Sequence, residues 1–191
     1  MLTILTAILL AIFVLQVLGS FSGINSLIDS SITLPTYFPL LLTRTADSLS
    51  IAAFVGIIVA YEMKKHRKIS LETKILILSL LFGTLIVGGL KAILQVPRPE
   101  NPEVKIPLTK AILQADKFAF PSGHTARASI FATYLSKKLP KFRVLWWAWA
   151  VGIALTRLIL HVHWFSDVLF SLFLGPWVYL LTQRIFFKVE R

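Results

Sequence analysis

The chain has 191 residues, 56% of them hydrophobic and 15% charged, well short of the roughly 25% charge of an ordinary soluble domain. That composition excludes a soluble globular protein, and the complete lack of cysteine excludes disulfides and thiolate chemistry. The net charge of +11 raises nucleic-acid binding as a reading, but the placement of the charges argues against it.

Apolar runs of about 20 residues, long enough to cross a bilayer, recur along the chain. They predict an all-α, integral membrane six-helix bundle forming one domain over residues 1–191. The first span is expected at about 2–22. It has no basic start and no small-residue cleavage site, so it reads as a retained helix and not a signal peptide. The next stretch, "GINSLIDSSITLPTYFPLLLTRTADS", is too polar to span and too apolar for free loop, which predicts a short interfacial helix. Spans at 46–62 and 73–94 follow. The segment "VPRPENPEVKIPLTKAILQADKFAF" then reads as a structured surface loop, rich in proline and charge. The remaining spans are expected at 121–137, 143–161 and 164–186. The run "WWAWA" in the fifth suits an aromatic belt at a membrane interface. No internal repeat or low-complexity tract is visible.

The basic residues sort by side. Lys64, Lys65, Arg67, Lys68 and Lys74 fall in one connection, and Lys137, Lys138, Lys141 and Arg143 in another. Arg184, Lys188 and Arg191 fall in the tail. These twelve face only Glu62, Glu72 and Glu190, whereas the opposite side holds eight basic and six acidic residues. Positive loops stay cytoplasmic, which predicts a multi-pass cell-membrane protein with both termini inside. The excess suits anionic lipid headgroups on the cytoplasmic side better than a nucleic acid.

With that orientation Lys91, Arg98, His124, Arg157, His163 and Asp167 all fall at the outer ends of spans. Each has an ordinary alternative. Lys91, Arg98 and Arg157 could snorkel to the interface, His124 could be a satisfied interfacial histidine, and Asp167 could be a helix-start carboxylate. Together the ordinary readings weaken, because ionisable groups within membrane spans are costly and usually functional. Arginine binds phosphate oxygens bidentately and lysine acts as a point charge. Ser122 and Gly123 at a helix start offer backbone N–H groups to an anion. His163 and Asp167, four residues apart, fall on one helical face, so the carboxylate can hold one ring N–H. Arg157, six residues before His163, needs a turn near 161–164 to join them.

The series Lys91-x6-Arg98-Pro99, then Pro121-Ser122-Gly123-His124, then Arg157-x5-His163-x3-Asp167 resembles the three-part signature of the type-2 phosphatidic acid phosphatase (lipid phosphate phosphatase) superfamily. It covers residues 91–167 by motif, with one departure, Thr156 where the family usually has serine. The resemblance implies a metal-independent phosphatase with no cofactor and no metal ligand. His163 would be the nucleophile and form a phosphohistidine, oriented by Asp167. His124 would act first as general acid and then as base. Lys91, Arg98, Ser122, Gly123 and Arg157 would hold the phosphoryl oxygens. The expected substrate is a phosphorylated lipid at the outer leaflet: a polyprenyl diphosphate, phosphatidylglycerophosphate or phosphatidate.

Thr156 and Arg127 stand beside the signature. Arg127 could reach a second phosphate or a headgroup, or pair with Asp47 or Glu100. His161 suits packing or a loop hydrogen bond, since a metal pair with His163 lacks a third ligand. Two other functions compete: transfer of the phosphoryl group to an acceptor on the same scaffold, and an anion or lipid transporter. The second sits poorly with the lack of a repeat and with polar groups gathered at one face instead of the midplane.

Overall fold

The structure, a computed structural model, describes residues 1–101 and 105–186. Glu103, Lys188, Glu190 and Arg191, which enter the charge count, lie outside the described residues. Within them the chain is all-helical: α1 (Leu2–Val17), α2 (Ser22–Ser31), α3 (Tyr37–Arg44), α4 (Ser48–His66), α5 (Leu71–Leu94), α6 (Leu108–Leu113), α7 (Gly123–Lys138), α8 (Arg143–Ile159) and α9 (Phe165–Phe186).

A helix stands at each of the six expected spans, but the bounds and the count of crossings differ. α1 stops at Val17 because the chain turns at Gly19, whose φ of +70° suits a residue without Cβ. It then bends by 87° into α2. The stretch expected to hold one interfacial helix holds two, and α3 meets α4 at a bend of 43°. Three of the described helices are long and apolar enough to cross a membrane: α5, α8 with the 3-10 turn before it, and α9. Counting the two bent pairs as one span each raises this to five.

α7 accounts for the shortfall. It has only 16 residues and ends in Lys137 and Lys138. It packs against α5, α8 and α9, with ten of its side chains buried. A helix enclosed by other helices needs no lipid-facing apolar side, so hydropathy reads it weakly. Its Ala126, Ala128, Ser129 and Ala132 are small and buried, and small residues let helix backbones approach where lipid supplies little hydrophobic drive. The approach to α9 is close. Ser129 Oγ donates to Ser171 O at 2.9 Å, and a Cβ on Gly175 would lie 2.6 Å from the Ile130 backbone nitrogen. By contrast, Leu81, Leu85 and Ile93 on α5 and Val144 and Leu155 on α8 point outward.

One end of the bundle is closed by a polar knot. Buried Glu62 of α4 accepts from the Ser70 backbone and hydroxyl at 2.8 and 2.7 Å, from Thr73 at 3.0 Å and from Lys138 at 3.0 Å. Ser70 caps α5 by accepting from the Thr73 N–H, so one carboxylate ties α4, α5 and the end of α7 together. The tryptophans of "WWAWA" pack partly inward, against the alanine-rich cluster of Ala46, Ala128 and Ala132. Trp149 Nε1 donates to Thr45 Oγ1 at 2.9 Å, so this residue fastens α8 to the α3–α4 corner instead of belting the interface.

Candidate active site

At the end opposite the Glu62 knot, α5 delivers Lys91, which is 4% exposed and donates to the Phe118 carbonyl. The chain leaves α5 through Gln95 in a left-handed conformation and brings Arg98 back over the site. Arg98 is gripped by the 115–117 turn: Nε donates to Lys117 O at 3.2 Å and Nη2 to Asp116 O at 2.5 Å. The carbonyls fix its plane without an ion pair, while Asp116, Asp167 and Glu100 act on its charge from further off.

α8 ends at Ile159 with buried Arg157 in its last turn, and the chain reverses through His161 at φ +52°. This is the turn the sequence required between Arg157 and His163. It is clasped from outside by α2, where Asn25 exchanges two hydrogen bonds with Ser166 at 3.0 and 3.1 Å. Asp29 Oδ1 meets His161 Nδ1 at 2.8 Å. His161 therefore makes the loop hydrogen bond expected of it. Among the described residues no group of three or more metal-ligating side chains exists.

His163 lies in this turn and not on α9, which begins at Phe165. The single helical face expected for His163 and Asp167 is therefore corrected: the turn brings them together. Asp167 Oδ2 accepts the Trp164 N–H at 2.8 Å and faces His163 Nδ1 at 3.3 Å, at the long end for a hydrogen bond. His163 Nε2 is thus the nitrogen left to act. Burial, reinforced by the charges of Lys91, Arg157 and Arg98, pushes the His163 imidazole well below its ordinary range. A neutral ring keeps its lone pair, which nucleophilic attack requires.

α7 starts at Gly123, and Ser122, its N-cap residue, makes no side-chain cap hydrogen bond. The first N–H groups of a helix have no intrahelical partner, and they sit at the positive end of the dipole. His124 stands on this first turn, and its Nε2 lies 2.5 Å from Asp47 Oδ1.

Asp47 belongs to a strip that sequence reasoning did not connect to the signature. Where α3 meets α4, Thr43 Oγ1 accepts from Arg157 Nη1 at 3.0 Å, the Ala46 carbonyl accepts from Arg127 Nε at 3.1 Å, and Asp47 holds His124. In the sequence Asp47 shows only as an acidic residue at an expected helix start; that it is the N-cap of α4 without a side-chain cap hydrogen bond is visible in the structure alone.

These pieces enclose one cavity of about 410 Å³. Lys91, Arg98, Arg157, Gly123, His124 and His163 line its polar end, with Arg127 and Asp47 beside them. From there it runs along α5 past Gly88, Thr84 and Gly83 toward Ile130 of α7. From Lys91 to Gly83 is about 12 Å at the 1.5 Å rise per residue of a helix. Asp167 is fully buried behind His163. Neither Ser122, an expected phosphate ligand, nor Thr156, expected only beside the ligands, lines the cavity. The Ser122 hydroxyl is buried and accepts from Thr125 Oγ1 at 3.0 Å, while Thr156 Oγ1 is turned back onto Ile153 O at 2.7 Å. Arg127 does line it, but the ion pairs expected for it with Asp47 or Glu100 do not form.

Comparison with known proteins places this arrangement. The model of the PAP2 superfamily matches residues 72–191. A lipid A 1-phosphatase of Rhizobium johnstonii is 35% identical over 68 residues, which is 36% of this chain and 28% of that protein. One of Rhizobium etli is 34% identical over 68 residues, covering 36% and 29%. The chain thus spans little more than a quarter of these relatives' length. The solved structure of a transmembrane PAP2-type phosphatidylglycerolphosphate phosphatase from Bacillus subtilis superposes over 100% of this chain and 98% of its own, with a TM-score of 0.78 at 21% identity. LpxE from Aquifex aeolicus covers 85% and 93%, with a TM-score of 0.63 at 22% identity. At those identities the two structures establish the fold.

Proposed function

The chain belongs to the PAP2 superfamily, and from that premise we propose that it is a membrane-embedded, metal-independent phosphatase. It hydrolyses a phosphomonoester or diphosphate of a lipid at the outer leaflet. The observation that supports this most is the cavity itself, which joins four cations and two histidines to a groove along α5. Cations and a helix start suit a phosphoryl group; a groove past Gly88 and Thr84 leaves room for the start of an alkyl tail and narrows where Ile130 packs on Gly83. Relatives named for lipid A 1-phosphate and phosphatidylglycerolphosphate fit the same class. The polyprenyl diphosphate, phosphatidylglycerophosphate and phosphatidate of the sequence reading all remain candidates.

The reaction has two steps. His163 Nε2 attacks phosphorus while Asp167 holds Nδ1–H, so the N–P bond forms as the bond to the lipid oxygen breaks. His124 gives its proton to that oxygen, then takes a proton from water, which cleaves the N–P bond and releases phosphate. Lys91, Arg98, Arg157 and the backbone N–H groups from Gly123 onward stabilise the charge on the equatorial oxygens. These cations supply the neutralisation that a metal provides elsewhere.

The whole chain acts as one domain with six crossings, α7 serving as the enclosed sixth. Both termini face the cytoplasm, where the basic connections meet anionic headgroups. The test is phosphate release by purified protein in detergent, across a panel of polyprenyl and glycerolipid phosphates and in excess chelator. Release with chelator present is expected. Loss with chelator and recovery with magnesium removes the metal-independent mechanism, and transfer of label to an added acceptor in place of water removes hydrolysis.

A further inference from the structure

Arg127 is a cation of the cavity that the two-step reaction leaves unused. Its Nε is fastened to the Ala46 carbonyl at 3.1 Å, its one hydrogen bond to a described residue. Both terminal nitrogens are left without a hydrogen-bond partner there, on a side chain that lines the cavity. Asp47, whose Oδ1 meets His124, and Asp116 both act on it electrostatically, but neither forms an ion pair with it. The guanidinium is thus held in a fixed plane with a fork of donors open to the cavity, the geometry that suits a phosphate.

Its level in the bundle matters. Arg127 springs from the turn of α7 below His124, but its side chain folds back, so that a Cβ on Gly123 would lie 3.4 Å from Nη1. Gly123 in turn stands level with Val87 of α5, at 3.8 Å by the same measure. Further down, Gly83 is level with Ile130. The open fork therefore stands beside Gly123 at the edge of the phosphate cradle, while the backbone it springs from lies one helical turn further along α7, toward the tail groove. In a lipid monophosphate, the atoms at this level are the neutral start of the tail. In a lipid diphosphate, they are the second phosphoryl group.

We propose that Arg127 forms a second anion subsite, which binds the bridging-side phosphoryl of a lipid diphosphate and makes diphosphates the preferred substrates. This rests on the phosphatase reading above. The step balances: His163 Nε2 bonds to the terminal phosphorus, the bridging P–O bond breaks, and its electron pair leaves on the lipid monophosphate. Water then cleaves the N–P bond and yields inorganic phosphate. Arg127 stabilises the negative charge that gathers on the departing monophosphate, which leaves without the proton an alkoxide needs.

The experiment compares kcat/KM for the monophosphate and the diphosphate of one polyprenyl tail, each measured on the same preparation of wild type, Arg127→Gln and Arg127→Lys. A folding defect cancels in the ratio of the two substrates. The diphosphate preference is expected to drop about tenfold or more in Arg127→Gln and less in Arg127→Lys, as loss of a charge-assisted fork demands. An unchanged ratio overturns the subsite, as does an equal fall on both substrates, which makes Arg127 a ligand of the reacting phosphoryl. Wild type that cleaves only the monophosphate also overturns it while leaving the phosphatase reading intact. Release from neither lipid brings down both.

Discussion

Asp47 and His124, 77 positions apart in the chain, meet at 2.5 Å where the start of α4 faces the start of α7. The contact fixes which ring nitrogen of His124 is held and leaves Nδ1 as the nitrogen for the proposed proton transfer. His124 is the proposed proton donor, so Asp47 is a positioning residue whose effect depends on how much the leaving group needs that proton. Asp47→Asn is expected to slow turnover of an alkyl phosphate by about 10- to 100-fold, less than the 10²–10⁴ of general acid–base catalysis because the acid itself stays in place. The initial burst of phenolate from an activated aryl phosphate should be largely spared, because phenolate departs unaided. Equal losses on both substrates would mark Asp47 as structural.

The two arginines of the signature are held differently, which grades their substitution. Arg157 is buried, tied through Nη1 to Thr43, with its Nε unpartnered among the described residues. Arg98 is pinned by two carbonyls. Lysine keeps the charge and loses the fork, so Arg98→Lys and Arg157→Lys should each lower kcat by about 10²-fold or more. Thr43→Val removes only the tether of Arg157 and should cost less than Arg157→Lys. A larger loss in Thr43→Val would show that the strip before α4 touches substrate itself.

The seam between α7 and α9 makes a prediction about stability alone. A Cβ on Gly175 would meet the backbone of Ser129 and Ile130, which cannot yield as a side-chain tip can, whereas a Cβ on Gly89 meets nothing within 4 Å. Gly175→Ala is expected to destabilise the protein by about 1–3 kcal/mol, the usual range for overpacking, and Gly89→Ala to be neutral. Thermal unfolding in detergent measures both, and equal midpoints would contradict the close approach.

How much of this was legible beforehand depends on sequence separation. Lys91 and Arg98, the Pro121–His124 turn, and Arg157 with His163 are each short local patterns, so residue types and spacing announced them. The reversal at His161 followed from a simple conflict, six residues being the wrong helical face. The strip of Thr43, Ala46 and Asp47 carries no such pattern, since its partners lie 77 to 114 residues away. Ser122 read as a phosphate ligand because it stands at a helix start within the signature; here its side chain is buried and accepts from Thr125. Hydropathy located α7 but could not show that other helices enclose it, which is why the count of crossings and the helix pattern part company there.

Orientation can be tested cleanly because the chain has no native cysteine. A single cysteine in place of Lys110 on α6 should react with an impermeant reagent in intact cells, and one in place of Lys65 at the end of α4 should not. Both side chains are exposed, so differential reactivity reports side and not burial. The opposite pattern would put the cavity on the cytoplasmic face.

The two histidines differ in where they stand, and this separates their variants. His163 sits buried with Nδ1 toward Asp167, leaving Nε2 as the group that can bond to phosphorus. His163→Ala is therefore expected to lose activity toward every substrate, including activated ones. His124 lies at the cavity's edge, on the helix start, where a leaving oxygen would emerge. His124→Ala should turn over lipid monoesters very slowly, because their alkoxide needs a proton. With an aryl phosphate the first step should still run, since the leaving group departs on its own. Water would then lack its base, and the N–P bond should persist. Treated with a labelled aryl phosphate, His124→Ala should accumulate an acid-labile, base-stable phosphoprotein, and His163→Ala should not. Label retained by His163→Ala, or rapid aryl ester turnover by it, would move the nucleophile to another residue.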